Sequence, residues 1–97
     1  MNFTILMGEC PKDQSTKLAI LKQGNPIVTK SGSPNEMAQV LADNVEKHQL
    51  GSKQIDYKDG QYWSQSQNKQ KTCDKVVPET KTLFKRTISR VHSHNLN

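Results

Sequence analysis

Residues 31–51 read SGSPNEMAQVLADNVEKHQLG, and this stretch decides the fold. Ser33 is placed to cap a helix, Pro34 takes its first position, and Glu36 completes an S-x-x-E capping box. Met37, Ala38, Val40, Leu41 and Val45 then recur at helical spacing on one face. Glu36, Gln39, Asp43 and Glu46 line the opposite face. Gly51 is the predicted stop, because helices commonly end at a residue of positive φ. Asn44 and His48 fall on the apolar side one turn apart. A rim position explains both, and the helix dipole favours a cation at His48. Such a helix cannot stand alone, since its apolar stripe needs a second layer to cover it.

The chain on either side supplies that layer. Upstream, FTILM places Phe3, Ile5 and Met7 on one side of a strand. KLAILK sets Leu18 and Ile20 against Ala19 and Leu21 on opposite sides of a second strand. IVTK, rich in β-branched residues, makes a third. Between the last two, Gly24 and Asn25 tolerate positive φ and Pro26 cannot continue a ladder from within, so GNP reads as a turn. Links this short favour an antiparallel meander.

Downstream, IDYKDGQYWS (55–64) reads as a hairpin turning at Asp59-Gly60, with Tyr57 opposite Tyr62 and Trp63 on the other face. Residues 64–76 read as a polar flexible loop. A second helix starts near Pro78, with Leu83, Phe84, Ile88 and Val91 as its apolar arc and Thr87 inside it. Residues 93–97 read as a frayed tail. The whole predicts one α+β domain over residues 1–97: a three-stranded antiparallel sheet with two helices packed on one side, plus a short hairpin.

Composition sets the scale of the core. Ninety-seven residues make one domain, 32% of them hydrophobic and 24% charged. Leu, Ile, Val and Phe together number 20, near the level at which chains fail to collapse, but they are grouped with clear periodicity. A small core follows. Residues 1–7 are apolar but too short for a secretory signal and lack its basic start. No run approaches a membrane span. A cytoplasmic protein with Cys10 and Cys73 as reduced thiols is the expectation, and a single long-range disulfide between them stays open.

No catalytic constellation stands out. Acids and histidines are scattered, and no Ser, Cys or Lys nucleophile has a recognisable companion. Cys73, in KTCDK, sits in a basic setting that can activate a thiol, but a surface thiol without a catalytic role is the expectation. SGSPNE precedes a helix and suits an anion, but Glu36 in the first turn opposes one and the capping box already accounts for the residues. His92 and His94 form an H-x-H, whereas structural zinc sites show paired ligands in two clusters. The expectation is therefore a non-enzyme with no cofactor and no metal.

Charge is the informative feature. The formal net charge is +5, yet residues 1–50 carry five bases and five acids. The excess comes after Gln65, in Lys69, Lys71, Lys75, Lys81, Lys85, Arg86 and Arg90 against Asp74 and Glu79. One reading is a nucleic-acid binder that uses Lys81, Lys85, Arg86 and Arg90 with Trp63 as a stacking surface. The other is a protein-docking module. Glu36, Asp43 and Glu46, joined by Asp56 and Asp59, then form an acidic pole opposite the basic tail. Solvated helix faces explain either feature taken alone.

In size and in its layout of FTILM, KLAILK and IVTK followed by SPNEMAQVLADNVEKH, the chain resembles type I-F anti-CRISPR proteins. The resemblance is one of plan, without a diagnostic motif. It implies a phage-encoded, non-enzymatic inhibitor that binds a host RNA-guided surveillance complex and blocks its DNA binding. The chain is basic overall, so mimicry of nucleic acid would be local, on the acidic residues named above.

Overall fold

The computed structural model describes residues 2–95; the side chains of residues 52, 94 and 95 fall outside the described set. Three strands come first: β1 (Phe3–Cys10), β2 (Ser15–Lys22) and β3 (Asn25–Gly32). Helix α1 (Pro34–Lys47) follows, then a single 3-10 turn and β4 (Ile55–Asp59). Strands β5 (Gln61–Ser64) and β6 (Lys69–Thr72) precede the last helix, α2 (Pro78–Asn95). The α+β class expected from the sequence is what forms.

The meander is antiparallel, as its short links require. Ile5 faces Ile20 across β1 and β2, and Ile20 faces Val28 across β2 and β3. The β2–β3 turn is centred on Gln23 (φ 53°) and Gly24 (φ 83°), a type I′ geometry, rather than on the Gly24-Asn25 pair. Pro26 lies inside β3 opposite Leu21. It is tolerated because β3 is an edge strand and the absent N–H falls on the open side. A register shift after it leaves Ile27 without an opposite partner and 40% exposed.

The expected three-stranded antiparallel sheet is corrected to four strands in the order β3-β2-β1-β4. β4 pairs parallel with β1, Phe3 beside Ile55 and Ile5 beside Tyr57. The expected hairpin across Asp59-Gly60 therefore does not exist. A two-residue hairpin turn of type I′ needs positive φ at both central residues. Gly60 has it (φ 75°) and Asp59 does not, so the chain turns a corner there. Helix α1 supplies the long crossover that a parallel pair needs.

The residues expected to be a loop, 64–76, contain β6, which pairs with β5 through Trp63–Gln70 and Tyr62–Lys71. Asn68 (φ 53°) closes the tight link between them. Glu9 bridges to Asp74, and Val76 is buried. The segment lacks apolar periodicity because it is a two-stranded ribbon with mostly solvent-facing side chains.

Three layers result. Both helices cover one face of the sheet, where Phe3, Ile5, Met7, Leu18 and Ile20 meet Met37, Leu41, Val45, Phe84 and Ile88. The hairpin covers the other, where Trp63 packs on Leu6, Ala19 and Leu21. On this side Leu6 and Gly8 of β1 and Ala19 and Leu21 of β2 are thus also buried. Helix α1 ends before Gly51, in a Schellman motif at Gln49 (φ 52°). The amide of Gln49 donates to Glu46 O (3.2 Å) and that of Leu50 to Val45 O (3.0 Å), which folds Leu50 into the core. Helix α2 continues through residues 93–95 of the expected frayed tail, and residues 96 and 97 lie outside the described ones. No helix among the described residues is long and apolar enough to cross a membrane.

Candidate functional site

The helical layer carries most of the charged residues singled out above. At the start of α1 the Glu36 N–H donates to Ser33 Oγ and the Ser33 N–H donates to Glu36 Oε1, each at 3.2 Å. The Ser33 hydroxyl and then the Ser33 backbone hold the Glu36 carboxyl below the usual glutamate value. With Met37, Ala38, Leu41 and Val45 turned inward, Glu36, Asp43 and Glu46 stay exposed on the outer face. Asp43 accepts from Gln39 Nε2 at 2.8 Å, one helical turn back.

Helix α2 packs beside α1. It buries Thr80, Phe84, Thr87 and Ile88, with Thr87 Oγ1 donating to Leu83 O at 2.7 Å. Lys81, Lys85, Arg86 and Arg90 are left exposed. One face of the molecule therefore holds an acidic helix next to a basic one. Among the described residues the ion pair of Asp13 and Lys17 (3.8 Å) stands alone, at the β1–β2 turn. Glu36, Asp43 and Glu46 on α1 and Lys81, Lys85, Arg86 and Arg90 on α2 are therefore not neutralised by ion pairs among the described residues.

Three of the predicted site residues lie elsewhere. Asp56 is exposed but pairs in register with Thr4, which turns it to the hairpin side of β4, away from the helices. Asp59 is half-buried and accepts the Val76 N–H at 3.0 Å, a structural task. Trp63 packs under the hairpin, with the sheet between it and α2. The five-carboxylate stripe thus reduces to three, and the grouping of Trp63 with the α2 cations does not assemble. Tyr57, in register with Ile5, faces the helix side, and burial pushes its phenol pKa up. It does not stack against Tyr62.

Trp63 lines a polar cleft between β3 and the hairpin, of about 460 Å³ on the side that includes Lys17, Lys30 and Tyr62. Gln65 Nε2 spans it to Thr29 Oγ1 at 2.6 Å. Sequence reasoning missed this cleft, because it depends on the hairpin folding back over the sheet.

The groups weighed for chemistry are placed as follows. His92 Nε2 donates to Leu50 O at 2.6 Å, tying α2 to the end of α1. The side chain of His94, the other half of the H-x-H, lies outside the described residues. Among the described residues no cluster of three or more His, Cys, Asp or Glu is arranged to hold a metal. Burial pushes the Cys73 thiol up, with Asp74, Cys10 and Asp59 adding to it against the Glu9 backbone. Its neighbours in space include carboxylates, so the lysines beside it in sequence do not activate it.

These observations define a small three-layered α+β domain whose helical layer is split into an acidic and a basic half. The chain matches no protein-family model, no curated protein and no solved structure.

Proposed function

We propose that the protein is a non-catalytic binding protein that docks through its helical layer onto a nucleoprotein partner. The observation that carries this reading is the side-by-side placement of exposed Glu36, Asp43 and Glu46 on α1 and exposed Lys81, Lys85, Arg86 and Arg90 on α2, without ion pairs between them. Charges of both signs held on rigid packed helices specify register and orientation against a complementary surface.

The resemblance to type I-F anti-CRISPR proteins gives the partner class: a host RNA-guided surveillance complex, whose DNA binding the docked protein blocks. Helix α1 contributes local mimicry of nucleic-acid charge. Its three carboxylates span about 15 Å of helix axis, where one DNA strand presents about four charges. The stripe is therefore sparser than the DNA strand, and α2 must supply a second part of the contact. On this reading the protein acts in the cytoplasm of the host.

A second reading keeps the four exposed cations of α2 for nucleic acid. If each meets one phosphate, log K falls against log salt with a slope of about −3.6. One pair of measurements separates the two. Purified complex is titrated with the wild type and with a Glu36→Gln, Asp43→Asn, Glu46→Gln variant, which preserves the capping box. Free DNA and RNA are titrated at two salt concentrations. At least a tenfold loss of complex binding in the variant supports the first reading. Unchanged complex binding with tight, salt-sensitive binding to free nucleic acid replaces it with the second.

A further inference from the structure

We propose that Cys10 and Cys73 form a thiol–disulfide exchange site, a paired dithiol that low-molecular-weight disulfides oxidise to a cross-strand bond. β4 pairs with β1 only as far as Met7, which leaves the outer edge of β1 open from Gly8 onward. The chain leaving β6 fills that edge. Glu9 and Asp74 pair antiparallel, with the Glu9 N–H donating to Asp74 O at 2.9 Å. Continued by one residue, the antiparallel register of that isolated bridge sets Cys10 against Cys73.

Directly opposed residues of an antiparallel ladder have Cα atoms about 4.5–5.5 Å apart and side chains on the same face. That falls within the span of about 4.4–6.8 Å that a disulfide bridges. A second observation fixes the sulfur. A Cβ built at Gly8 would collide with Cys73 Sγ, so the thiol lies over Gly8. Gly8 and Cys10 alternate to the same side of β1. The Cys73 backbone is also held, its N–H donating to Gly60 O at 2.9 Å. Both cysteines are free and half-exposed, so a small reagent reaches them.

The chemistry balances as two exchanges. One cysteine thiolate attacks the small disulfide, RSSR, forming a protein–SR mixed disulfide and releasing RS⁻. The opposed cysteine, as its thiolate, then attacks the protein sulfur and expels the second RS⁻. The two protein thiols are oxidised, the reagent is reduced to two thiols, and the two cysteine protons pass to the released thiolates or to solvent. Cys73, with its raised pKa, suits the slower resolving step. The bond would staple β1 to the approach to α2 and so hold the hairpin layer against the sheet. It also closes a long loop, which restricts the unfolded chain.

The test uses the full chain in glutathione buffers of graded redox ratio, quenched by alkylation and mapped without reduction. The expected product is a monomer lighter by two hydrogens, with the Cys10 and Cys73 peptides linked. Its thermal midpoint should lie on the order of 10 °C above that of the reduced chain. Cys10→Ser and Cys73→Ser should each stop at a mixed disulfide on the remaining cysteine. Where a variant fails to fold, the wild-type map and midpoint decide. Stable mixed disulfides on both wild-type cysteines, disulfide-linked dimers, or a linked product with an unchanged or lower midpoint overturn the proposal.

Discussion

The carboxylate of Asp59 accepts the backbone N–H of Val76 at 3.0 Å and joins the corner after β4 to the approach to α2. Val76 is buried and its amide has left the sheet ladder, so the bond satisfies a donor that water does not easily reach. Asp59→Ala should therefore cost about 1–3 kcal/mol in urea denaturation. Asp59→Asn keeps an acceptor oxygen and should cost less. Equal losses for the two would mean that charge, not the hydrogen bond, is what Asp59 contributes.

Of the three glutamines in left-handed backbone, Gln14, Gln23 and Gln49, the last two sit in turns that favour other residues. Gln49 (φ 52°) is the turning residue of the α1 Schellman motif, and Gln23 (φ 53°) is the first central residue of the β2–β3 turn. Both are exposed. Gln49→Gly removes a strain of about 1–2 kcal/mol and adds about 0.4–1 kcal/mol of unfolded-chain entropy, so a net gain of about 0.5–1 kcal/mol is expected. Gln23→Asn produces the Asn-Gly pair preferred in type I′ turns and should also stabilise. Calorimetric midpoints a few degrees above wild type are the expected readout. A drop at either position would overturn the backbone assignment there.

The capping box has a pH signature. Glu36 is held below its usual pKa of about 4.5 by the Ser33 hydroxyl and backbone. A depressed folded-state value means that the bonds stabilise the fold above the unfolded pKa and are lost as pH falls through the lower folded one. In an NMR titration the Glu36 side chain should shift at lower pH than an ordinary glutamate. Ser33→Ala should move that midpoint upward and fray the first turn of α1. A midpoint indifferent to Ser33→Ala would remove the capping box as its cause.

What the sequence made legible follows from locality. The capped start of α1 and the meander rest on residues within a few positions of each other, and they form where expected. Asp59-Gly60 carries the signature of a hairpin, yet the competition between β1 and β5 as partner for β4 is settled by burial far away. Ile55 can pack against the helix-side core only beside β1, and Trp63 can cover Leu6, Ala19 and Leu21 only if β5 leaves the sheet. The same logic explains the site. Residues within one helix, such as Glu36, Asp43 and Glu46, keep their grouping. Asp56, Asp59 and Trp63, assigned by charge or ring alone, are scattered by topology.

Gly8 is where that topology is most sensitive. It is the position on β1 over which the segment after β6 packs. A Cβ there would meet Cys73 Sγ, Gln61 O at 2.9 Å and Asp74 O at 3.3 Å. The two backbone oxygens cannot turn aside as a side chain can, so Gly8→Ala should push the segment outward and cost about 1–3 kcal/mol. It should also spread the peptide exchange of residues 73–76 toward that of the exposed turns. Combining it with Cys73→Ala removes the sulfur clash and leaves the Gln61 contact. The double variant should therefore recover part of the loss, a coupling of about 0.5 kcal/mol or more between two positions far apart in the chain. Strict additivity of the two substitutions would show that Cys73 does not lie over Gly8.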